Sequence, residues 1–204
     1  MYLKYREHKP VIHEDAYIAP NAVIRGKVSI GKGTRVLFGA VITDEGGPVN
    51  IGEDCVVMEQ AVVRGTPRHA VSIGDSVLIG PHSHLSGCKI ESNVFLATGS
   101  TIFNGVHIKV GSEVRINGIV HVNTVLEPNT TVPIGWVAVG NPAEILPPNE
   151  HNAIWNIQKQ QDFPGTVWGV ERSTPQGDPI RLYAKALQIH HQDEVVSSQG
   201  TDPE

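Results

Sequence analysis

The sequence predicts a mainly β protein, a parallel β-helix with a C-terminal α-helix packed along it. In residues 71–86, Ile73, Ile79 and Leu85 are spaced six residues apart, and glycine follows two of them. This spacing fits neither the two-residue period of a strand nor the 3.6-residue period of a helix. A unit of one strand and one turn cannot bury its own apolar side chain, so successive units must stack into a solenoid.

Composition supports the same fold class. The chain is 40% hydrophobic but only 5% aromatic. A narrow coil interior is filled by files of Ile, Val and Leu and has little room for rings. The sequence therefore predicts a single elongated domain with appendages.

The six-residue frame extends over most of the chain. Upstream it passes through Ile18, Ile24, Ile30, Val36 and Ile42 and, after a slip of three residues, through Ile51, Val57 and Val63. Downstream it resumes at Ile90, Leu96 and Ile102, and is predicted to continue at Val110, Ile116 and Val122. The frame breaks at residues 43–50 and 65–70, where polar residues, glycine and proline predict loops.

The predicted domain organisation has three parts. Residues 1–148 form the β-helix, with Pro10, Val11 and Ile12 adding a strand that covers its open end. Residues 149–196 form a helical extension, and residues 197–204 have the composition of a disordered tail. The prolines at 147 and 148 end the ladder of strands.

Two helices are predicted in the extension. The first begins after Asn149 and runs to about Phe163, with Ile154 and Ile157 facing the coils. For the second, Asp178 and Pro179 are the N-cap and first-turn signals. Its predicted apolar stripe consists of Ile180, Tyr183 and Leu187.

Charge and cysteine content narrow the classes of function. The net charge of -5 and pI near 6.0 do not favour nucleic acid or an anionic membrane as a partner. Cys55 and Cys88 are interpreted as small buried apolar residues in a reducing compartment. The first residues lack an apolar signal region and no 18-residue apolar run exists, so we expect a cytoplasmic protein.

Several segments together resemble the γ-class carbonic anhydrases, a branch of the hexapeptide-repeat proteins. They are A-Y-I-A-P-N-A-V-I-R-G-K-V-S-I-G, S-G-C-K-I, V-G-N-P-A and the helix after it, and the resemblance covers residues 10–163. It implies a left-handed parallel β-helix and a homotrimer. It also implies a zinc site between subunits, formed by three histidines.

The positions that match the family's zinc ligands do not contain histidine in this chain. They are Arg64, Pro81 and Ser86. Proline has no side-chain donor, arginine is a cation and a serine hydroxyl is a poor zinc ligand, so we expect no metal at these positions.

Supporting residues of the family site also differ. The family's arginine falls on Ile42 or Thr43, and an acid remains as Asp44 or Glu45. Its glutamine falls on Met58, with Gln60 two residues further on. We therefore expect the zinc-dependent hydration of carbon dioxide to be lost.

The remaining candidate catalytic residues are His82, His84 and Glu45. His82 and His84 lie two residues apart, so on a strand they would point to one side. They could bind a metal with a third ligand from His121, Asp44, Glu45 or another subunit. Alternatively, they are polar residues of a subunit contact, or one of them is a general base, a role also open to His69.

These observations leave three functions open. The first is a carbonic-anhydrase-like homotrimer without the zinc site that has a ligand-binding or an assembly role. A small molecule would bind at the subunit interface, with Arg64, Asp44 and Gln60 as candidate ligand-binding residues. The second is a hexapeptide-repeat acyltransferase that uses acyl-coenzyme A. The third is an atypical metal-dependent lyase or hydrolase that uses zinc at His82 and His84.

Overall fold

The computed structural model describes residues 1–175 and 177–196, and the predicted parallel β-solenoid is its main part. The first twelve strands are β1 (Tyr2–Lys4), β2 (Val11–Ile12), β3 (Tyr17–Ile18), β4 (Val23–Arg25), β5 (Val28–Ile30), β6 (Arg35–Val36), β7 (Val41–Asp44), β8 (Val49–Ile51), β9 (Val56–Val57), β10 (Val62–Gly65), β11 (Val71–Ile73) and β12 (Leu78–Ile79). The next twelve are β13 (His84–Ser86), β14 (Lys89–Ile90), β15 (Phe95–Leu96), β16 (Thr101–Ile102), β17 (His107–Ile108), β18 (Glu113–Val114), β19 (Ile119–Val120), β20 (Val125–Leu126), β21 (Thr131–Val132), β22 (Val137–Val139), β23 (Glu144–Leu146) and β24 (Glu194–Val196). The helices are α1 (His151–Gln158), α2 (Phe163–Val167) and α3 (Gly177–Ala186), and a 3-10 helix follows (Leu187–Gln192).

Three sheets form the walls of the solenoid because each coil contributes one strand to each wall. Sheet 1 has the order β23-β22-β19-β16-β13-β10-β7-β4-β1-β24. Sheet 2 has the order β2-β5-β8-β11-β14-β17-β20, and sheet 3 the order β21-β18-β15-β12-β9-β6-β3. Strands of successive coils pair in parallel. At the two ends of sheet 1, β23 pairs antiparallel with β22, and β24 pairs antiparallel with β1.

The interior is built from files of aliphatic side chains, because the strand register places equivalent residues directly above one another. In sheet 1 the inward file is Ile24, Ile42, Val63, Leu85, Ile102, Val120 and Ala138. All seven are completely buried. The six-residue frame predicted between Ile24 and Ile102 is therefore confirmed as the core.

The predicted continuation of this frame through Val110 and Ile116 is wrong. These two side chains are 41% and 46% exposed. The buried frame continues from Ile102 without a slip, at Ile108, Val114, Val120, Leu126 and Val132. Apolar residues also occupy turn positions in this part of the chain, so the sequence offers two frames, and only register with the preceding coil distinguishes them.

The two predicted loops are short and lie against each other. Residues 43 and 44 remain in β7 and residues 49 and 50 in β8, so the first loop is only residues 45–48. Gly46 lies against Pro67 and Gly47 against the backbone of Thr66 in the second loop. A side chain at Gly47 would collide with that backbone, which explains the glycine.

The first helix of the extension is shorter than predicted. Helix α1 ends at Gln158, and Asp162 starts the separate helix α2 with its carboxylate accepting a hydrogen bond from the backbone N–H of Gly165. The single helix predicted to run to about Phe163 is therefore interrupted at this cap. Ile154 and Ile157 face the coils as predicted, packing with Val137 and Val139.

The predicted stripe of the second helix is also partly wrong. Ile180 is 68% exposed, whereas Pro179 is the buried residue of α3. A cavity between α3 and sheet 1 is lined by residues that follow Pro179 with the spacing of a helix, namely Leu182, Tyr183 and Ala186, although all three remain exposed. Asp178 lies within the first turn rather than before it.

The extension returns to the first coil. After the 3-10 helix, β24 pairs with β1, so Tyr2 lies opposite Val196 and Lys4 opposite Glu194. The extension therefore runs along sheet 1 from its last strands back to its first. The proposed tail, residues 197–204, lies outside the described residues.

Cys55 and Cys88 are buried and unpaired with each other. Burial raises the pKa of the Cys88 thiol to about 12, and burial also raises the pKa of Cys55. Among the described residues, no helix has the length and apolar character needed to cross a membrane.

The corrected frame can be tested with one substitution made at two sites. Val114→Ala removes buried methyl groups and leaves a cavity, so we expect a loss of about 2 kcal/mol in the free energy of unfolding. Val110→Ala is the matched control, and its effect should stay within about 0.5 kcal/mol because the side chain is exposed. Denaturant unfolding measures both, and a larger loss at Val110 would restore the original frame.

Candidate functional site

The outer face of sheet 1 brings together residues that are far apart in the chain. Strands β7, β10 and β13 are neighbours, and their register pairs Arg64 with Thr43 on one side and with Ser86 on the other. Two of the three positions that match zinc ligands in the family resemblance, Arg64 and Ser86, are therefore adjacent. The family resemblance assigns both positions to one site, and the strand register puts them side by side.

The third position is separated from them. Pro81 lies in the turn before β13, five residues ahead of Ser86 at the other end of that strand. Because the backbone turns at His82, the two lie closer than the roughly 16 Å that five fully extended residues would span. Of the three positions, only Arg64 and Ser86 are register partners in sheet 1.

The donors at these positions do not fit zinc. A guanidinium stays protonated, a proline side chain has no donor atom, and a neutral hydroxyl is a weak ligand. Within residues 1–175 and 177–196, no three His, Cys, Asp or Glu side chains are grouped so that they could hold a metal ion.

His82 and His84 occupy different kinds of position. His84 is in β13 and half-buried, whereas His82 is exposed in the preceding turn, with a φ of 58°. Strand alternation, on which their predicted common orientation depended, therefore does not apply to His82. His84 Nε2 shares a hydrogen bond of 3.1 Å with Ser86 Oγ.

The imidazole of His84 is held in its neutral form. Burial lowers its pKa, and the positive charge of Arg64 lowers it further. Neutral imidazole can serve as a hydrogen-bonding group or a base, but it adds no charge to the site. The cation at this point of sheet 1 is thus Arg64.

The candidate acids have structural partners. Asp44 is buried, and its two carboxylate oxygens accept hydrogen bonds from the backbone N–H groups of Gly46 at 2.7 Å and Lys27 at 3.1 Å. Glu45 lies 3.0 Å from His190 Nε2 and 3.5 Å from Arg25 Nη1. Both carboxylates therefore already have partners within the protein.

Two further candidates lie elsewhere. Gln60 is exposed in a turn, with a φ of 58°, rather than on the outer face of sheet 1. His69 is in the second loop, where burial lowers its pKa and the charge of Arg68 lowers it further. The prediction that Gln60 binds a ligand beside Arg64 gains no geometric support from this position.

A cavity of about 720 Å³ lies between sheet 1 and the extension. Its solenoid side is largely polar and includes Glu45, Arg64, Thr66, Ser86 and Asn104. Its extension side is largely apolar and includes Val167, Trp168, Val170, Leu182, Leu187 and Ile189. The volume lies within the range of small-molecule sites.

Arg64 is the group in this cavity whose hydrogen bonds are incomplete. Its Nη1 lies 3.3 Å from the Tyr183 hydroxyl, while its Nε is buried and has no partner among the described residues. In this part of the chain it forms no ion pair with a carboxylate. A buried donor without a partner costs about 1–3 kcal/mol, so an anion that accepts from this guanidinium would be stabilised.

A buried ionic network, which the sequence did not reveal, holds the extension over the cavity. Arg25 is 2% exposed and donates to Asp193 at 2.7 Å and to the Asp44 carbonyl oxygen at 2.6 Å. Its guanidinium stacks on the Tyr5 ring at 3.8 Å. His190 Nδ1 lies 3.0 Å from Asp193 Oδ2.

The network sets the ionisation of Asp193. Burial raises its pKa, but hydrogen bonds from Arg25 and His190, together with their charges, outweigh this and hold the pKa below its usual range. The sequence signal for this network was limited to Arg25, a charged residue inside a repeat strand. Its partner Asp193 is 168 residues away. Pairing over that separation could not be read from the sequence.

An aromatic cluster anchors the middle of the extension. Phe163 packs against Phe103 and His121, which directly follow strands β16 and β19, each ring pair at 5.8 Å, and against Trp168 at 5.5 Å. Burial lowers the pKa of His121, although its hydrogen bond to Gln161 opposes this. His121 is thus occupied by packing and is not directed at His84 as a third metal ligand.

Comparison with known proteins finds a matching family model and several similar carbonic anhydrases. The family model for bacterial transferase hexapeptides (six repeats) matches residues 9–44 and 70–104. Gamma carbonic anhydrase 1 (mitochondrial) from Arabidopsis thaliana is 30% identical over 143 residues, covering 67% of this chain and 50% of that protein. A probable carbonic anhydrase from Methanocaldococcus jannaschii is 35% identical over 92 residues, covering 45% of this chain and 58% of that protein.

The chain spans about half the length of the curated relatives it matches. Among solved structures, a putative acetyltransferase from Bacillus cereus is 23% identical and has a TM-score of 0.44. That match covers 81% of this chain and 95% of the other.

The role of Arg25 can be tested by removing it alone and together with its partner. Arg25→Met leaves Asp193 buried without its cation, and we expect a loss of about 3–5 kcal/mol in the free energy of unfolding. Arg25→Met combined with Asp193→Leu should recover part of this loss, since no uncompensated charge remains at Asp193.

Arg35→Met is the control, because Arg35 is exposed on sheet 3, and its effect should be within about 0.5 kcal/mol. Denaturant unfolding gives the energies, and limited proteolysis reports release of the extension. Equal stability losses at Arg25 and Arg35 would contradict the assigned role.

Proposed function

Because this chain is a γ-carbonic-anhydrase-like hexapeptide-repeat protein, we propose that its site binds a small anion at Arg64 and does not hydrate carbon dioxide through zinc. The observation that supports this most is Arg64, whose Nε is buried without a partner among the described residues and whose side chain lines the cavity, at a position where the family resemblance places a zinc ligand. An anion would then bind to the guanidinium of Arg64, at the place in the fold where the resemblance puts the zinc site of the family.

The charge balance of the cavity favours an anion over a cation. Glu45 lies within ion-pair distance of Arg25 and His190, whereas Arg64 forms no ion pair with a carboxylate among the described residues. A guanidinium can bind a carboxylate through two parallel hydrogen bonds. Ser86 and Asn104 supply further polar groups on the same side of the cavity.

We propose that the assembly is a homotrimer, with the corner between sheets 3 and 1 at the subunit boundary. Phe38, Ile116 and Ile134 each follow a sheet 3 strand by two residues and are 50%, 46% and 65% exposed. Pro81 has the same position relative to β12, so it lies in this file. Exposed apolar residues along one edge are typical of an interface.

Sedimentation velocity at micromolar concentration tests this assembly. We expect a single trimeric species, and Ile134→Asp should shift it toward monomer because a charge at an apolar interface is costly. Val110→Asp, at an exposed position outside this file, is the control. A monomeric wild-type protein would refute the proposal.

The anion-binding function can be tested on protein purified with zinc present. We expect less than stoichiometric zinc and no hydration of carbon dioxide above background in stopped flow. We also expect acetate and bicarbonate to raise the melting temperature, by about 5 °C or more at 100 times their dissociation constant. Arg64→Met should abolish this shift.

The matched control is Arg181→Met, because Arg181 is 78% exposed, pairs with Asp178 and does not line the cavity. It should retain the shift of the wild-type protein. Stoichiometric zinc with strong hydratase activity would refute the proposal. Tight binding of acetyl-coenzyme A with acyl transfer would favour the transferase function instead.

A further inference from the structure

The two sides of the cavity differ in a way that specifies the ligand beyond its charge. Arg64, Ser86 and Asn104 lie on the solenoid side, whereas the opposing side consists of apolar residues from α2, α3 and the segments beside them. A small inorganic anion would contact only the polar side. The cavity therefore has one surface that matches a charged or polar end of a ligand and another that matches an apolar end.

The apolar side is incompletely covered by protein. Leu182 is 60% exposed and Trp168 is 50% exposed, although both line the cavity. Apolar side chains gain by losing contact with water, and the body of a bound ligand would cover these two. By contrast, Pro179 of the same helix is already buried.

The charge of the polar side favours a monoanion. Arg64 and Arg6 both line the cavity without an acidic partner in the described part of the chain, but Arg6 is exposed and stacks on Tyr5 at 5.1 Å, whereas the Nε of Arg64 is buried and unpartnered. Glu45 also lines the cavity and would repel additional negative charge. A single carboxylate matches one guanidinium better than a polyphosphate does.

We infer that the cavity binds a monocarboxylate with an apolar body, such as a medium-chain acid, with its carboxylate at Arg64 and its chain against Leu182 and Trp168. This inference rests on the proposed anion-binding function and adds the class of ligand. The cavity volume of about 720 Å³ is sufficient for an acid of eight carbons.

The test is calorimetric titration of the 204-residue chain with octanoate, acetate and octanamide. Octanoate should bind roughly 100-fold tighter than acetate, because six additional methylene groups are largely buried. Octanamide has the same chain without the charge and should bind about 10-fold or more weaker than octanoate. This comparison needs no variant and so does not depend on any variant's folding.

Two pairs of variants separate the ends of the ligand. Arg64→Met should remove the preference for octanoate over octanamide, and Arg181→Met should retain it. Leu182→Asn should weaken octanoate without affecting acetate. Ile180→Asn is its control on the same helix, because Ile180 is 68% exposed and does not line the cavity.

The outcomes distinguish the inference from the function on which it rests. Equal affinities for acetate and octanoate, both dependent on Arg64, would overturn the inference and leave the anion site intact. Equal affinities for octanoate and octanamide would overturn the role of Arg64 as well. Absence of binding by all three compounds would overturn both.

Discussion

The stacking of coils is the constraint on which the other features depend. A single coil cannot bury its aliphatic residue, so Ile42, Val63 and Leu85 must lie directly above one another. This inward register also fixes the outward residues, because alternate side chains on a strand point to opposite faces. Arg64 therefore lies beside Ser86 and Thr43 as a consequence of core packing.

The extension converts this outer face into a cavity. It is attached at its start by Ile154, in its middle by Phe163 and at its end by the pairing of β24 with β1. Between the last two of these attachments, α3 lies over Arg64 and places Tyr183 beside it. The buried network of Arg25 and Asp193 lies at the end of this span, so stability of the network and closure of the cavity are linked.

Much of the solenoid could be predicted because its periodicity is local. The frame from Ile24 to Ile102 follows from apolar spacing, whereas the positions Arg64 and Ser86 came from the family resemblance, and the strand register places them side by side. The frame at Val110 could not be distinguished from that at Ile108, since both are apolar and only stacking on the previous coil separates them.

The cavity could not be predicted because it depends on contacts between distant segments. No local pattern indicates that Asp193 meets Arg25 or that Tyr183 reaches Arg64. His82 shows the converse limitation: its spacing from His84 suggested one strand, but its backbone turns before β13 begins. Sequence thus predicted which residues occupy sheet 1 more reliably than which surfaces cover it.

The most direct test of the central claim is the NMR signal of the Arg64 Nε–H group during addition of octanoate. This donor has no partner among the described residues, so a bound carboxylate should move its proton resonance downfield and slow its exchange with water. Its assignment comes from the signal lost in Arg64→Lys, and the exposed Arg181 provides the internal control. A shift confined to Arg64 is the predicted result. An unchanged Arg64 signal in protein saturated with octanoate would contradict the account.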